Sequence, residues 1–346
     1  MQWRGRNRSQ NVEDRRGQSS SGPGFSLPPG MFSGRRMPTG RGLQLGAGGG
    51  LGLVILLGLF LLFGGQGGLG SLFTGEGGLE SGRRSAELGG GVEESQKERD
   101  RREMLEVVLY ETEQFWTKAF SDLGRRYEPC TLVLFRRSVQ TRCGGASSQV
   151  GPFYCSADQK VYIDLSFYDS LEKELGAGGD FAMAYVLAHE VGHHVQDELG
   201  ILGKVHELKR GAASEKARND LTVRMELQAD YLAGVWARYA ERQGMLDPGD
   251  IDEAMRATRK IGDDHLQRQA QGFVVPDSFT HGTSDQRSRW FRKGYEAGDL
   301  SESDTYSAER ASELFHQSWP RDWVTTGRCH LGPELPAAGG PARFAA

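Results

Sequence analysis

The stretch DFAMAYVLAHEVGHHVQDELG, residues 180–200, decides the fold of this chain. After Asp180, the first eight positions carry no charge, and Glu190 is the only acid before Asp197. We predict a helix from Phe181 to about Leu199, with Asp180 as its N-cap and a glycine at its end. Burying a lone carboxylate on so apolar a helix costs free energy, so its presence indicates a functional role.

The same helix carries a HExxH motif, formed by His189, Glu190 and His193. Residues i and i+4 share one face of a helix, so the two imidazoles converge on one point. Imidazole nitrogen is a good zinc ligand at about 2.0–2.1 Å. Glu190 lies next to the metal without binding it, where it can take a proton from a zinc-activated water. The alternative is a polar helix face with no chemistry.

A catalytic zinc site needs a third protein ligand, and RMELQADYLAGVWA (residues 224–237) offers one. Glu226 and Asp230 are four residues apart on a second predicted helix and share a face. The longer Glu226 is our predicted zinc ligand, and Asp230 is predicted to orient a ligand histidine. The reverse assignment and an acidic pair on the surface remain open.

A second informative stretch is LGLVILLGLFLLF, residues 51–63, which is nearly all apolar. Arg41 is the last charge before it, and Glu76 is the first charge after it. A membrane-spanning helix needs about 20 residues, so the uncharged flanks must contribute. We predict a transmembrane anchor within residues 43–72, with a buried core helix as the alternative.

The charges around this anchor predict its orientation. Residues 1–42 hold eight Arg, no Lys and two acids, a net charge of +6. We expect them to form a disordered cytoplasmic segment rich in Arg, Gly and Ser. The chain after the anchor, beginning with a Gly-rich stalk at 73–92, would then lie in the periplasm. This predicts a single-pass protein of the bacterial inner membrane.

That topology predicts that the four cysteines form disulfides, because an extracytoplasmic compartment favours them. Cys143 and Cys155 flank a short Gly/Ser segment and are expected to pair as a local clip. Cys130 and Cys329 would then form a long-range pair. Four free buried thiols are the alternative.

The globular domain is expected at residues 93–325, followed by a disordered tail at 326–346. Strands come first and helices follow without βα alternation, which predicts an α+β fold. The expected strands are 131–135, 149–155 and 160–167, and the expected helices are 92–123, 181–199, 220–243, 248–262, 284–297 and 306–316. The chain after residue 42 has a net charge of −10, which argues against a nucleic-acid-binding domain.

Ordered blocks of the sequence resemble the bacterial putative neutral zinc metallopeptidase family (YpfJ type). The blocks are MQWRGRNRSQNVEDRRG, CGGASSQVGPFYCSADQKVYIDLSF, AYVLAHEVGHHVQ, ELQADYLAGVW, IGDD and FTHGTSDQRSRWFRKGY. Together they cover most of the chain and are far more specific than HExxH alone. The resemblance implies a membrane-bound, zincin-like peptidase with a glutamate as third zinc ligand. Cys130 and Cys329 do not belong to the family pattern.

Analogy with such peptidases suggests further roles. Val150–Tyr154 would be an edge strand that pairs with an extended substrate, or else an ordinary strand or loop over the core. His281 and Arg287 are candidates to stabilise the oxyanion, with a structural network that fixes their loop as the alternative. The other histidines are expected to serve surface or packing roles: His194, His206, His265, His316 and His330.

These features predict a membrane-anchored peptidase with one Zn²⁺ per chain and Glu190 as general base. Its expected partners are a peptide or protein substrate and the lipid bilayer, with no nucleic acid. Two alternatives stay open: a silent zincin-fold scaffold or binding module, and a zinc amidase acting on cell-wall peptides.

Overall fold

The computed structural model describes residues 1–18 and 94–306. It has the α+β architecture expected from the sequence, with a small sheet and a set of packed helices. The strands are β1 (Val12–Asp14), β2 (Thr131–Phe135), β3 (Ser138–Thr141), β4 (Gly144–Ser147), β5 (Phe153–Cys155) and β6 (Lys160–Asp164). The helices are α1 (Gln96–Asp122), α2 (Phe167–Lys173), α3 (Asp180–Glu198), α4 (Ile201–Gly211), α5 (Glu215–Arg242), α6 (Asp250–Lys260), α7 (Asp263–Gln271) and α8 (Ser284–Ala297).

The main sheet has the strand order β1-β2-β6-β5. β1, β2 and β6 run parallel, and β5 runs antiparallel to β6 at the edge. β2 and β6 are buried along almost their whole length, as expected for the inner strands of a covered sheet. A separate hairpin of β3 and β4 precedes the edge strand, and sequence reasoning did not predict it.

The first 18 residues are part of this domain, so the prediction that residues 1–42 are disordered is wrong for them. Val12–Asp14 pairs in parallel with Leu132–Leu134 of β2. Trp3 lies in the hydrophobic core, 5% exposed. The strand was missed because its residues, VED, have no apolar alternation, and its partner lies far away in the sequence.

The helix that carries HExxH, α3, lies at the centre of the domain. Every residue from Phe181 to Gln196 is buried. Asp180 was predicted as the N-cap, but it is the first helical residue, and the N-cap is Gly179. Gly200 follows the helix with a φ of 77°, a left-handed conformation that glycine adopts without strain.

Two glycine contacts bring the functional helices together. A Cβ on Gly192, inside the HExxH motif, would lie 3.2 Å from the carbonyl oxygen of Ala229, so α3 and α5 meet closely there. A Cβ on Gly294 would lie 2.0 Å from the carbonyl oxygen of Tyr231. The absence of a side chain at this position lets α8 pack directly on α5.

Other predictions meet the structure as follows. The helix predicted at 248–262 is α6, which spans Asp250–Lys260, whereas α2, α4 and α7 were not predicted. Cys143 and Cys155 form the expected disulfide, with an S–S distance of 2.01 Å. Cys130, directly before β2, is a buried free thiol, and Cys329, its expected partner, lies outside the described residues.

Several predicted segments lie outside the described residues. They are the anchor at 43–72, the stalk at 73–92, the helix at 306–316 beyond its first residue, and the tail at 326–346. Within 1–18 and 94–306, none of the helices has the length and apolar character that crossing a membrane requires.

Candidate metal centre

Three side chains from α3 and α5 converge on one buried point: His189, His193 and Glu226. The Nε2 of His189 lies 3.2 Å from Oε2 of Glu226, and the Nε2 of His193 lies 3.5 Å from Oε1. Ligand atoms about 2.0–2.1 Å from a tetrahedral zinc are separated from each other by about 3.3 Å. The spacing of these donor atoms therefore fits a zinc ion.

His189 is oriented by Asp230, one helical turn after Glu226. Its Nδ1 lies 2.9 Å from Oδ1 of Asp230. A carboxylate can only accept, so Nδ1 carries the proton and Nε2 is left as the metal-binding nitrogen. Burial alone would lower the pKa of His189, but Asp230 and Glu226 raise it to about 9 in the metal-free site.

His193 is oriented by a neutral group, the amide of Gln196. Its Nδ1 lies 2.9 Å from Oε1 of Gln196. The Nε2 of Gln196 donates to the carbonyl oxygen of Met225 at 2.8 Å and to Oε1 of Gln228 at 3.0 Å. These bonds fix the amide orientation, so its oxygen must face the proton on Nδ1, and Nε2 of His193 again faces the metal position.

Glu190 is buried beside the ligands, 8% exposed. Burial raises the pKa of its carboxyl, the Glu226 charge adds to the rise, and the two histidines oppose it. A raised pKa brings a carboxylate closer to the working range of a general base. Its position and environment fit the role predicted from HExxH.

Arg287 lies under the metal centre, bound to Asp230. Its Nε donates to Oδ2 of Asp230 at 2.8 Å and its Nη2 donates to Oδ1 at 2.9 Å. Tyr185 donates to the same Oδ1 at 2.6 Å. Arg287 is 3% exposed, and it also donates to the hydroxyl of Tyr185 at 3.2 Å and to the carbonyl oxygen of Ile261 at 3.4 Å. The geometry therefore favours the structural network over the predicted contact with the oxyanion.

The comparisons with known proteins agree with this site. The sequence profile of the family described as "Putative neutral zinc metallopeptidase" matches residues 1–306. The chain belongs to this family. Zinc is therefore the metal that His189, His193 and Glu226 would hold.

Two bacterial relatives are similar to this chain. The "Uncharacterized protein YpfJ" of Escherichia coli (strain K12) is 45% identical over 310 residues, which cover 88% of this chain and 99% of the relative. The "Uncharacterized protein Rv2575" of Mycobacterium tuberculosis is 46% identical over 186 residues, which cover 51% of this chain and 61% of the relative. No solved structure matches the chain.

His281 lies on the loop before α8, which packs against the helix that carries Glu226. Its neighbour Gly282 packs against α5, where an added Cβ would lie 3.2 Å from Val223 and 3.4 Å from Leu227. These two residues flank Glu226 on the same helix. Burial lowers the pKa of His281, but the charges of Asp263 and Glu226 raise it above its ordinary value.

The edge of the sheet lies next to the ligand helix. β5 occupies Phe153–Cys155, whereas residues 148–150 of the predicted strand region form a short 3-10 turn. Tyr154 fixes this strand to α3, since its hydroxyl lies 3.1 Å from Nδ1 of His194 and donates to Asp197 at 2.8 Å. His194 is thus a buried packing residue on another face of α3.

Sequence reasoning missed three residues of this site: Tyr185, Gln196 and Asp263. Tyr185 is four residues before His189, and Gln196 is three residues after His193, so helical spacing alone places both near the ligand face. Asp263 belongs to the IGDD block. Only the tertiary contacts reveal what each of them binds.

Proposed function

We propose that this chain is a zinc-dependent peptidase that hydrolyses peptide bonds, with Glu190 as general base. The observation that carries the proposal is the convergence of three donor atoms at zinc-ligand spacing with a buried carboxylate beside them. A purely structural zinc site has four protein ligands. Three ligands with an adjacent base leave room for a water and a substrate oxygen.

The chemistry divides between the metal and the chain. Bound zinc would polarise the scissile carbonyl and lower the pKa of a water molecule to about 7. Glu190 accepts the proton of the attacking water and returns it to the leaving amine. His281 donates a hydrogen bond to the oxygen on which negative charge develops. Asp230 and Gln196 hold the ligand rings still.

The edge strand β5 is the proposed substrate-binding element. It ends the main sheet and contacts the helix that carries His189 and His193. An extended peptide that adds to its free edge would gain main-chain hydrogen bonds and lie along the metal centre. This favours an endopeptidase that takes extended, unfolded segments.

Attachment to the bacterial inner membrane through residues 43–72 is also a proposal, as is an extracytoplasmic location for the catalytic domain. The apolar run at 51–63 supports the first. The disulfide between Cys143 and Cys155 supports the second, because disulfides persist mainly in oxidising compartments.

The decisive experiment uses the full chain, since residues 1–18 belong to the fold. The purified, zinc-loaded protein is incubated with a mixed peptide library, and the products are read by mass spectrometry. Glu190→Gln, which keeps the shape of the side chain but removes the base, is the matched control. We expect cleavage by the wild type, loss of at least 1,000-fold in the variant, and equal zinc content in both.

Other outcomes decide between the alternatives. Zinc binding without cleavage of any peptide by either protein would favour the scaffold. Cleavage confined to cell-wall peptides added to the library would favour the amidase. Equal cleavage by the wild type and Glu190→Gln would contradict the proposed role of Glu190.

A further inference from the structure

The IGDD block holds the loop that carries His281. Asp263, the first residue of α7, accepts hydrogen bonds through Oδ2 from three successive backbone N–H groups: Thr280 at 2.7 Å, His281 at 2.7 Å and Gly282 at 3.1 Å. Its other oxygen, Oδ1, lies 3.1 Å from Nδ1 of His281. One carboxylate therefore binds both the backbone and the ring.

This arrangement decides which nitrogen of His281 is available. Asp263 is ionised, because the charge of His281 and the surrounding hydrogen bonds outweigh burial and lower the pKa of its carboxyl. An ionised carboxylate only accepts, so Nδ1 of His281 must carry a proton. Nε2 is then the nitrogen left for a substrate, and it can donate a hydrogen bond only when the ring is an imidazolium.

We propose that Asp263 is a positioning residue that holds the ring of His281 as an imidazolium, with Nε2 presented to the substrate oxygen beside the metal ligands. The proposal rests on the proposed peptidase function and names a residue that this function has not used. Its geometric basis is the four hydrogen bonds of Asp263 and the packing of Gly282 between Val223 and Leu227, next to Glu226.

The charges around His281 come from three elements. In the metal-free site, burial and Arg287 on α8 oppose the imidazolium, whereas Asp263 on α7 and Glu226 on α5 favour it. Arg287 is neutralised by its own bonds to Asp230. Among these charged groups Asp263 is the one in contact with Nδ1, which also lies 3.1 Å from the neutral Oγ1 of Thr280, so the removal of Asp263 should change the protonation of His281 the most.

Asp263→Asn is the sharpest variant, because it is nearly isosteric. The amide oxygen can keep the three backbone hydrogen bonds, while the amide NH₂ then faces Nδ1 of His281. The ring must accept there, so the proton moves to Nε2 in a neutral imidazole. The matched control is Asp264→Asn, since Asp264 holds the same loop through Ser284, with both bonds at 2.7 Å, and does not bind the ring.

The first readout needs no activity. In full-length zinc-loaded protein with ¹⁵N-labelled histidine, NMR titration should show a lower pKa and an Nε2–H tautomer for His281 in Asp263→Asn, and no change in Asp264→Asn. His281→Ala assigns the signal. An unchanged pKa and tautomer in Asp263→Asn would overturn the proposal whether or not the protein cleaves peptides.

The second readout is kinetic. A neutral donor is about half as strong as a charged one, so Asp263→Asn should lower kcat about tenfold with little change in KM. His281→Ala should lower kcat by about 10²–10³-fold. Adding Asp263→Asn to His281→Ala should not lower kcat further. An equal loss of kcat on adding Asp263→Asn to the wild type and to His281→Ala would refute the coupling. Equal cleavage by the wild type and Glu190→Gln would instead count against the role of Glu190, and absence of cleavage by the wild type would count against the peptidase function itself.

A different observation carries a second inference, about the path of the chain. Arg16 and Glu94 stand on either side of the segment 19–93, and their side chains form an ion pair at 2.8 Å. The side chain of Arg16 is 1% exposed, and it is bound also to Asp14. β1 hydrogen-bonds to β2 two residues earlier. Both ends of that segment are thus fixed at one place in the domain.

We infer that residues 1–18 and the catalytic domain lie in the same compartment. Hydrogen-bonded strands cannot be separated by a bilayer, and a single crossing within residues 43–72 would separate β1 from β2. The inference differs from the sequence-based expectation of a cytoplasmic N-terminus and a periplasmic domain. It requires that any membrane contact of the intervening chain begin and end on one side.

Cysteine labelling of the full chain in bacterial spheroplasts tests this. Gln10→Cys reports on the first residues and Lys173→Cys reports on the domain, and both positions are exposed. Cys329→Ser removes one native thiol, Cys130 is buried, and the other two cysteines are paired. A membrane-impermeant maleimide should label both positions or neither, with lysed cells as the control. Labelling of only one would overturn the inference.

Discussion

The two zinc-ligand histidines are the same residue type, one turn apart on one helix, yet their supports differ. The ring of His189 is oriented by a charged group, Asp230, which is itself bound by Arg287 and Tyr185. The ring of His193 is oriented by the neutral amide of Gln196, which donates a hydrogen bond to the carbonyl oxygen of Met225. Both supports keep the proton on Nδ1 and leave Nε2 to face the metal position. The same tautomer is therefore fixed by a charged group in one case and by a neutral group in the other.

The difference predicts how much stability the protein loses when each support is removed. A buried ion pair holds geometry firmly, but its halves cannot be removed singly without leaving an unpaired charge. A buried amide carries no charge, so its loss leaves only unsatisfied hydrogen-bonding groups. The His189 side should therefore be the more fragile side under mutation, and the raised pKa of His189 should make it respond to pH.

The largest expected effect is that of Asp230→Ala. It leaves Arg287 buried and unpaired, which should lower the free energy of unfolding by about 3–5 kcal/mol. Zinc affinity should fall by about 10–100-fold, because the ring of His189 loses its orienting partner. Urea unfolding and zinc titration of the full chain measure both. Adding Arg287→Met should restore part of the stability, and a loss below about 1 kcal/mol in the single variant would contradict the comparison.

A smaller effect is expected for Gln196→Ala. It leaves Nδ1 of His193 and the carbonyl oxygen of Met225 without the amide, which should cost about 1–3 kcal/mol. Zinc affinity should fall about tenfold, at the low end for an outer partner of a metal ligand. Glu198→Ala, near the end of the same helix, is the control and should change stability by less than about 0.5 kcal/mol. A cost equal to that of Asp230→Ala would mean that charge is irrelevant here.

The smallest effect is a pH dependence of the zinc-free protein. The pKa of His189 is raised to about 9 from 6.5, since Asp230 and Glu226 outweigh burial. Its contribution to stability is therefore complete below about pH 6.5 and is lost as the pH rises through about 9. Thermal unfolding between pH 6 and 10 measures this slope. Gln196→Ala should keep the slope and Asp230→Asn should flatten it; the opposite pattern would reverse the assignment of the two sides.

How much of the site could be predicted depended on distance along the chain. His189, Glu190 and His193 follow from helical spacing within one motif, and Glu226 with Asp230 follow from the same spacing on a second helix. Arg287 was predicted near the site but in another role, because its pairing with Asp230 spans two helices. β1 was missed entirely, because Val12, Glu13 and Asp14 are too short a stretch to show a strand pattern of their own.

The sequence by itself predicted the α+β class, the convergence of His189, His193 and Glu226, and the disulfide between Cys143 and Cys155, all of which the structure shows. These depend on residues that lie close together or repeat at helical spacing, where backbone geometry alone fixes which side chains meet. The tertiary structure decided that Gln196 orients His193, that Arg287 neutralises Asp230, that Asp263 binds His281, and that residues 1–18 join the sheet. The last three join segments that are distant in the sequence, and the amide of Gln196 is itself fixed by Met225 on another helix. The close approach of helices at Gly192 and Gly294 and the pairing of β1 on β2 bring several of these segments together.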